Sequence, residues 1–312
     1  MKGSFANTPA SDGNTLDSSY IMSQLVQTGF SAFQYRRRQL GDRLVTLLTG
    51  LAVLAAVVPL FSILIYVGIR GLPALNVAFF TQMPKPIGEA GGGMLNAIVG
   101  SILLVTLATA IGLPVGIMAA IYLSEYGRGR LANTIRLFTE VMSGLPSIVV
   151  GIFAYAIVVR PLHHFSALAG GFALGVLMIP VVTRTAEEMI RMVPQSLREA
   201  GLALGLPKWR VILSIVLPSA ASGIITGSML AIARVAGETA PLLFTALNNA
   251  FFSTSLLQPI ASLPVQIYTY ATTPYEELHR LAWGGAFVLV MMVLITNLLT
   301  RLVVRSGYHA SR

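Results

Sequence analysis

The sequence predicts an all-α polytopic membrane protein with six transmembrane helices. Three observations carry that expectation: six apolar segments of spanning length, a low charge content, and basic residues crowded onto alternate loops. Of the 312 residues, 55% are hydrophobic and only 11% are charged, with a mean hydropathy of +0.76. A soluble domain carries roughly 25% charged residues, and about 20 apolar residues suffice to cross a bilayer core. The chain has no cysteine, which excludes disulfides, thiolate metal sites and cysteine nucleophiles.

Taken in order, residues 1–35 are rich in Ser, Thr, Asn, Gly and Asp. Such a segment buries too little apolar surface to offset its chain entropy. It reads as a polar, disordered cytoplasmic tail with a short amphipathic piece near 20–33. The first apolar run starts too late and is too long for a signal peptide. The apolar segments lie near 44–69, 95–123, 137–159, 167–190, 211–247 and 283–304. Residues 36–93 therefore hold the first span and an external segment, 94–305 the membrane core, and 306–312 a cytoplasmic tail. The fifth segment is too long for one span. It reads as a cytoplasmic piece ending at Pro218, then a membrane helix from about Ser219.

Basic residues set the orientation. With the N-terminus inside, Lys2, Arg36, Arg37, Arg38, Arg43, Arg128, Arg130 and Arg136 are cytoplasmic. So are Arg184, Arg191, Arg198, Lys208, Arg210, Arg301, Arg305 and Arg312. Those sixteen face four outside, Arg70, Lys85, Arg160 and Arg280, with Arg234 inside a span. This asymmetry follows the positive-inside rule and places both termini in the cytoplasm. The net charge of +9 therefore reports membrane orientation rather than nucleic-acid binding. Gly or Pro interrupts the spans at Gly112-Leu113-Pro114, Gly144-Leu145-Pro146, Pro180 and Gly237 to Pro241. Small residues of this kind allow close helix packing. A set of breaks also fits a bundle that changes shape, with the freed backbone groups meeting neighbouring helices or a wet cavity.

Between the fourth and fifth spans, on the Arg-rich side, lies EAGLALGLPKWRVILSIVLP (199–218). Ser196 with Glu199 three residues later predicts a capped short helix, broken at Gly205 and Pro207 before a second helix. Leu202, Leu204, Trp209 and Ile212 are the expected knobs of this helix–turn–helix. Either an interfacial amphipathic helix or a docking element for a cytosolic partner fits these residues.

Arg234 and Glu238 lie in AIARVAGETAPLLFTA, far from either end of their span and, four apart, on one helix face. A charge at the bilayer centre costs roughly 2.5–3.5 kcal/mol on insertion scales and commonly marks a transport route; mutual neutralisation is the plainer alternative. A guanidinium presents a planar fork that suits tetrahedral oxyanions. Phosphate near neutrality keeps a proton that Glu238 could accept, whereas sulfate has none and would be repelled. Arg184, in MIPVVTRTAEEM, is the second candidate anion contact, although Glu187 and Glu188 stand beside it.

The 199–218 segment resembles the EAA loop of type I ABC importer permeases, which docks in a groove of the ATPase. Glu199, Ala200, Gly205, Ile215, Leu217 and Pro218 match that pattern, and Gly201 stands where the second alanine is usual. Together with GGGMLNAIVGSILLVTLATAIGLPVGIMAAIYLSEYG (91–127), GLPSIVVGIFAY (144–155) and ARVAGETAPLLFTA (233–246), the chain is similar to the PstA family, from about Arg36 to Arg305. These are permeases of bacterial phosphate-specific ABC transporters. GETAPLLFTA looks more like this family than its PstC paralogues.

The resemblance implies a MetI-like fold in the bacterial inner membrane, with 94–305 as the permease core and 199–218 as the coupling helix. It implies a PstC-like second permease subunit, a dimeric PstB-like ATPase below, and a periplasmic PstS-like phosphate-binding protein above. Arg184 and Arg234 fall on motifs where the family places arginines linked to phosphate passage, and Glu238 shares the Arg234 motif.

No GxxxxGK[ST] occurs, so ATP hydrolysis is expected in a partner subunit, with no cofactor held by this chain. His163 and His164 are adjacent in a short loop, His279 and His309 are isolated, and no metal site is expected. Nothing in the spacing marks an enzyme nucleophile. The expected substrate is inorganic phosphate. Sulfate or molybdate, an ATP-independent carrier, and a regulatory subunit remain alternatives that transport measurements separate.

Overall fold

The computed structural model describes residues 18–86, 89 and 91–309. Among them the chain forms thirteen α-helices joined by short 3₁₀ and π turns, with no strand. It divides into two units, Met1–Ile65 and Tyr66–Arg312. The first unit is a stretch of helix α1 (Ser18–Gly71), whose apolar side chains from Leu44 to Ile65 are largely exposed. Within its apolar run the hydroxyls of Thr46, Thr49 and Ser62 donate to carbonyls one turn back, so no polar side chain there needs water. The helix takes in residues 18–35, which composition alone assigned to a polar tail; residues 1–17 of that tail, and 310–312, lie outside the described residues.

The second unit begins with the short α2 (Val77–Thr81), whose N-cap Asn76 accepts a hydrogen bond from the Phe79 N–H at 2.8 Å. Its core is a pair of long helices, α3 (Leu95–Ile121) and α7 (Ala167–Arg191). Gly170 faces Leu104, Gly171 faces Leu107, Gly175 faces Ile111, Met178 faces Gly112 and Val182 faces Gly116. The numbers rise together, so the two helices run parallel and share a Leu95 end and an Arg191 end. A Cβ on Gly116 would stand 2.8 Å from the Val182 Cβ, and one on Gly171 would stand 2.5 Å from the Leu107 Cβ. Only glycine permits this approach, in the manner of small-residue seams between membrane helices. Pro114 and Pro180 lie inside these helices without breaking them.

The third apolar segment is not one straight span. α4 (Arg130–Gly144) carries Arg130, Arg136 and Glu140 on an amphipathic helix, and it meets α5 (Ser147–Ala154) at Leu145-Pro146. α5 continues through a π turn into α6 (Arg160–Leu162). The bend at this elbow is 107°: proline cannot donate into the helix and disfavours helical geometry at the residue before it, and Leu145 is extended here. Among the described residues five helices are long and apolar enough to cross a membrane, six if the bent pair is one span.

The fifth segment also differs from expectation. After α8 (Gln195–Ala203), helix starts again at α9 (Lys208–Val211) and runs through a π turn at Ile212–Val216 into α10 (Leu217–Ala236). Pro218 therefore sits inside a continuous helical path from Lys208, with no break in the helix between the expected cytoplasmic piece and the membrane helix. α10 is antiparallel to α7, with Gly223 against Met189 and Gly227 against Thr185.

Beyond Ala236 the chain turns through α11 (Ala240–Leu243) and folds over the Leu95 end. Ser166, Ala167 and Leu168 N–H groups donate to the Thr245, Gln258 and Leu256 carbonyls, which satisfies the opening turn of α7. α12 (Leu263–Ala271) is pinned by its Leu263 N–H on Ser101 Oγ at 2.7 Å, and α13 (Glu276–His309) closes the unit.

If the α3–α7 seam fixes the bundle, Gly116→Leu should lower stability by about 1–3 kcal/mol through overpacking, read as a fall in melting temperature in detergent. Gly144→Leu, where a Cβ meets nothing within 4 Å, should leave the melting temperature unchanged.

Candidate functional site

Two regions carry the chemistry singled out in the sequence. The first is the end of α10. Arg234 lies in the last turn of that helix, Gly237 caps it, and Gly237 N–H donates to the Arg234 carbonyl. A cation in the last turn is favourable to the helix dipole. Glu238 lies beyond the helix end, so the pair does not share a helix face in mid-span. The spacing assumed a helix that continues, and Gly237 ends it. The Arg234 Nε and Glu238 Oε1 stand 4.0 Å apart, the side chains being 51% and 18% exposed.

The turn nevertheless lies among largely apolar side chains. Ala236 borders a cavity of about 150 Å³ with Ile102, Val105 and Thr106 of α3 and Met292 and Thr296 of α13. Ile102 is two turns, about 10 Å, into α3. Arg184 sits on the neighbouring α7, next to the Thr185–Gly227 contact, hence about 10 Å nearer the Arg191 end than Arg234. Its Nε lies 3.4 Å from Glu188 Oε1, and its side chain is 62% exposed. Glu187 instead serves Arg136 at 3.0 Å and Arg191 at 2.6 Å, tying α4 to α7. The fold thus puts Arg184 and Arg234 on adjacent helices, two turns apart in depth, without mutual contact. Exposed ion pairs contribute little, so both guanidiniums remain available to an incoming anion. A larger cavity, about 920 Å³, is elsewhere, lined by Tyr66, Arg70, Glu276, His279, Arg280 and Trp283 among others.

The second region is the 199–218 element. α8 starts after Pro194 with no side-chain cap. Ser196 is already in the first turn, so the expected capping box is absent; the Leu197 N–H closes that turn on the Pro194 carbonyl. The helix ends in a Schellman arrangement, with Leu206 N–H on Gly201 O and Gly205 N–H on Leu202 O. Gly205 has φ +78°, a left-handed conformation suited to glycine. Gly201 is buried, and a Cβ there would stand 2.7 Å from Ile215 Cδ1 and 3.0 Å from Val211 Cγ2. The motif's small residue and its distal Ile215 are therefore packing partners. Leu204 is 80% exposed and Trp209 54%, and Leu202 is also exposed. Ile212 is buried, correcting its expected role as a knob. Glu199 and Ala200 are exposed, as is Pro218; Leu217 is half-buried.

Sequence reasoning missed the side chains that hold this element. Arg198 Nε and Nη2 donate to Glu125 Oε1 at 3.0 and 2.8 Å, and its Nη1 and Nη2 also donate to the Val193 and Ile190 carbonyls. Lys208 Nζ donates to the Glu125 carbonyl and lies 4.3 Å from the Tyr126 ring centroid. The available signal was Glu125 itself, a carboxylate at the end of an apolar run on a side otherwise crowded with cations.

Residues 112–306 match the family described as "Binding-protein-dependent transport system inner membrane component". The "Phosphate transport system permease protein PstA" of Yersinia pestis is 52% identical over 241 residues, 77% of this chain and 82% of that protein. The protein of the same name from Haemophilus influenzae is 46% identical over 260 residues, covering 82% and 92%. An inward-facing structure of the MetNI methionine ABC transporter aligns with TM-score 0.54 at 18% identity, covering 67% of this chain and 91% of that one; this is a likeness of fold. The fold and the 199–218 element define a type I ABC importer permease with the MetI-like fold. Within that class, the chain belongs to the PstA family of phosphate transport permeases.

Proposed function

We propose that this chain forms half of the translocation pathway of an ATP-driven inorganic phosphate importer, with a PstC-like subunit supplying the other half. The observation that carries this reading is the pair of exposed guanidiniums, Arg184 and Arg234, staggered on adjacent helices within the bundle. They offer an oxyanion two weak stations along one path. Glu188 and Glu238 beside them discourage a fully deprotonated dianion. A PstS-like protein would deliver phosphate at the Leu95 end, and a dimeric PstB-like ATPase would press on Leu202, Leu204 and Trp209. Glu199, Ala200, Gly201, Gly205, Ile215, Leu217 and Pro218 form or support that coupling element. ATP is hydrolysed in the partner, and closure of the nucleotide-binding dimer rocks the bundle between inward- and outward-open states. The positive-inside bias places the Arg191 end and both termini on the cytoplasmic side, with lipid against the exposed apolar helix faces.

In proteoliposomes holding the whole complex, Arg234→Ala should cut ATP-driven phosphate uptake by about tenfold or more, the scale of a lost charge-assisted hydrogen bond. Full uptake by that variant would remove Arg234 from the pathway. Glu238→Gln should lower the phosphate-to-sulfate uptake ratio; an unchanged ratio would dismiss the proton-acceptor role of Glu238.

A further inference from the structure

We infer that Glu125 is a positioning residue through which the coupling element drives the bundle, so that the stroke enters the α3–α7 pair as well as α10. The inference rests on the reading of 199–218 as the ATPase-docking element. Glu125 belongs to the π turn Tyr122–Tyr126 that extends α3 at its Arg191 end. It is held from both halves of the helix–turn–helix: Arg198 of α8 grips its carboxylate, and Lys208, opening α9, grips its backbone carbonyl. The same Arg198 guanidinium binds the Ile190 and Val193 carbonyls at the end of α7. One side chain therefore ties α8 to the ends of both seam helices.

The pair is largely buried, the Arg198 side chain 14% and the Glu125 side chain 7% exposed. A buried ion pair is a poor device for stability, since well-packed apolar replacements are often neutral or better. What it supplies is direction. Four donor contacts from a planar fork fix the angle of α8 against α3 and α7, which greasy packing alone leaves free to slide. Around it, Ala120 of α3, Ala186 and Ile190 of α7, and Val211, Val216 and Ala220 on the path into α10 form one apolar cluster. The knobs Leu202, Leu204 and Trp209 stay exposed, open to load. Glu199, the acidic residue of the motif, is exposed and makes no ion pair among the described residues. It is thus free to face a partner, while Glu125 works inside the chain.

The chain contains no cysteine, so the link can be cut and rebuilt chemically. The complex is reconstituted with Glu125→Cys/Arg198→Cys and cysteine-free partners, and phosphate imported per ATP hydrolysed is measured. The unlinked variant should still hydrolyse ATP, while phosphate per ATP falls by about tenfold, within the usual range of coupling free energies. A short thiol-to-thiol spacer across the pair should restore the ratio, because the role is mechanical and does not need the charges. Glu125→Gln/Arg198→Met, which leaves no unpaired buried charge, should show the same loss with an unchanged melting temperature. Wild-type coupling in the unlinked and Gln/Met variants would overturn the role of Glu125 alone. Uptake that ignores ATP in the unsubstituted complex would overturn both this inference and the docking reading beneath it.

Discussion

Close approach of α3 and α7 is the contact on which everything else in the second unit depends. Between lipid-facing helices, water offers no hydrophobic reward for association, so affinity comes from packing and from satisfied polar groups. Gly112, Gly116, Gly171 and Gly175 let two backbones meet where any Cβ would collide with Met178, Val182, Leu107 or Ile111. Because the pair is parallel, its two ends are chemically different. One end receives the loop after α10, whose carbonyls cap the start of α7. The other gathers Glu125, Ile190 and Val193 within reach of a single arginine. The seam thus sets the distance between the 199–218 element and the end of α10 at Arg234.

The same constraint explains why charged and broken segments sit where they do. A helix ending inside an apolar layer exposes carbonyls that need partners. At the end of α10, Gly237 and Glu238 N–H groups take the Arg234 and Val235 carbonyls, and Arg234 sets its charge against the helix dipole. The arginine is therefore stabilised by the backbone while its guanidinium remains exposed. α10 continues the helical path that starts at Lys208 in the 199–218 element, so that element and Arg234 lie on one path, with Arg184 on the neighbouring α7.

Much of this was legible in the residues, and the rest was hidden for identifiable reasons. Gly205 and Pro207 announced the turn of the 199–218 element, Gly205 because few other residues fit its left-handed backbone and Pro207 because it cannot continue a helix. Gly144-Leu145-Pro146 and Gly112-Leu113-Pro114 read alike locally, yet the first makes a 107° elbow and the second none. Around Pro114 the α3 helix is unbroken and packs on α7 through Gly112 and Gly116, and no such neighbour is written in the local sequence. Arg234 and Glu238 do pair across four residues, but Gly237 ends the helix between them, so they do not share one helix face. The Glu125–Arg198 pair spans 73 residues, a distance at which spacing says nothing and only the parallel seam brings the partners together.

The claim that ties these pieces together is that oxyanion passage past Arg184 and Arg234 is driven from the docking element. The most direct test is radiolabelled phosphate uptake into proteoliposomes holding the complete complex, with and without ATP, and with sulfate as competitor. The account predicts uptake that requires ATP and is unaffected by sulfate. Uptake at the same rate without ATP would contradict it by making the bundle a passive or secondary carrier.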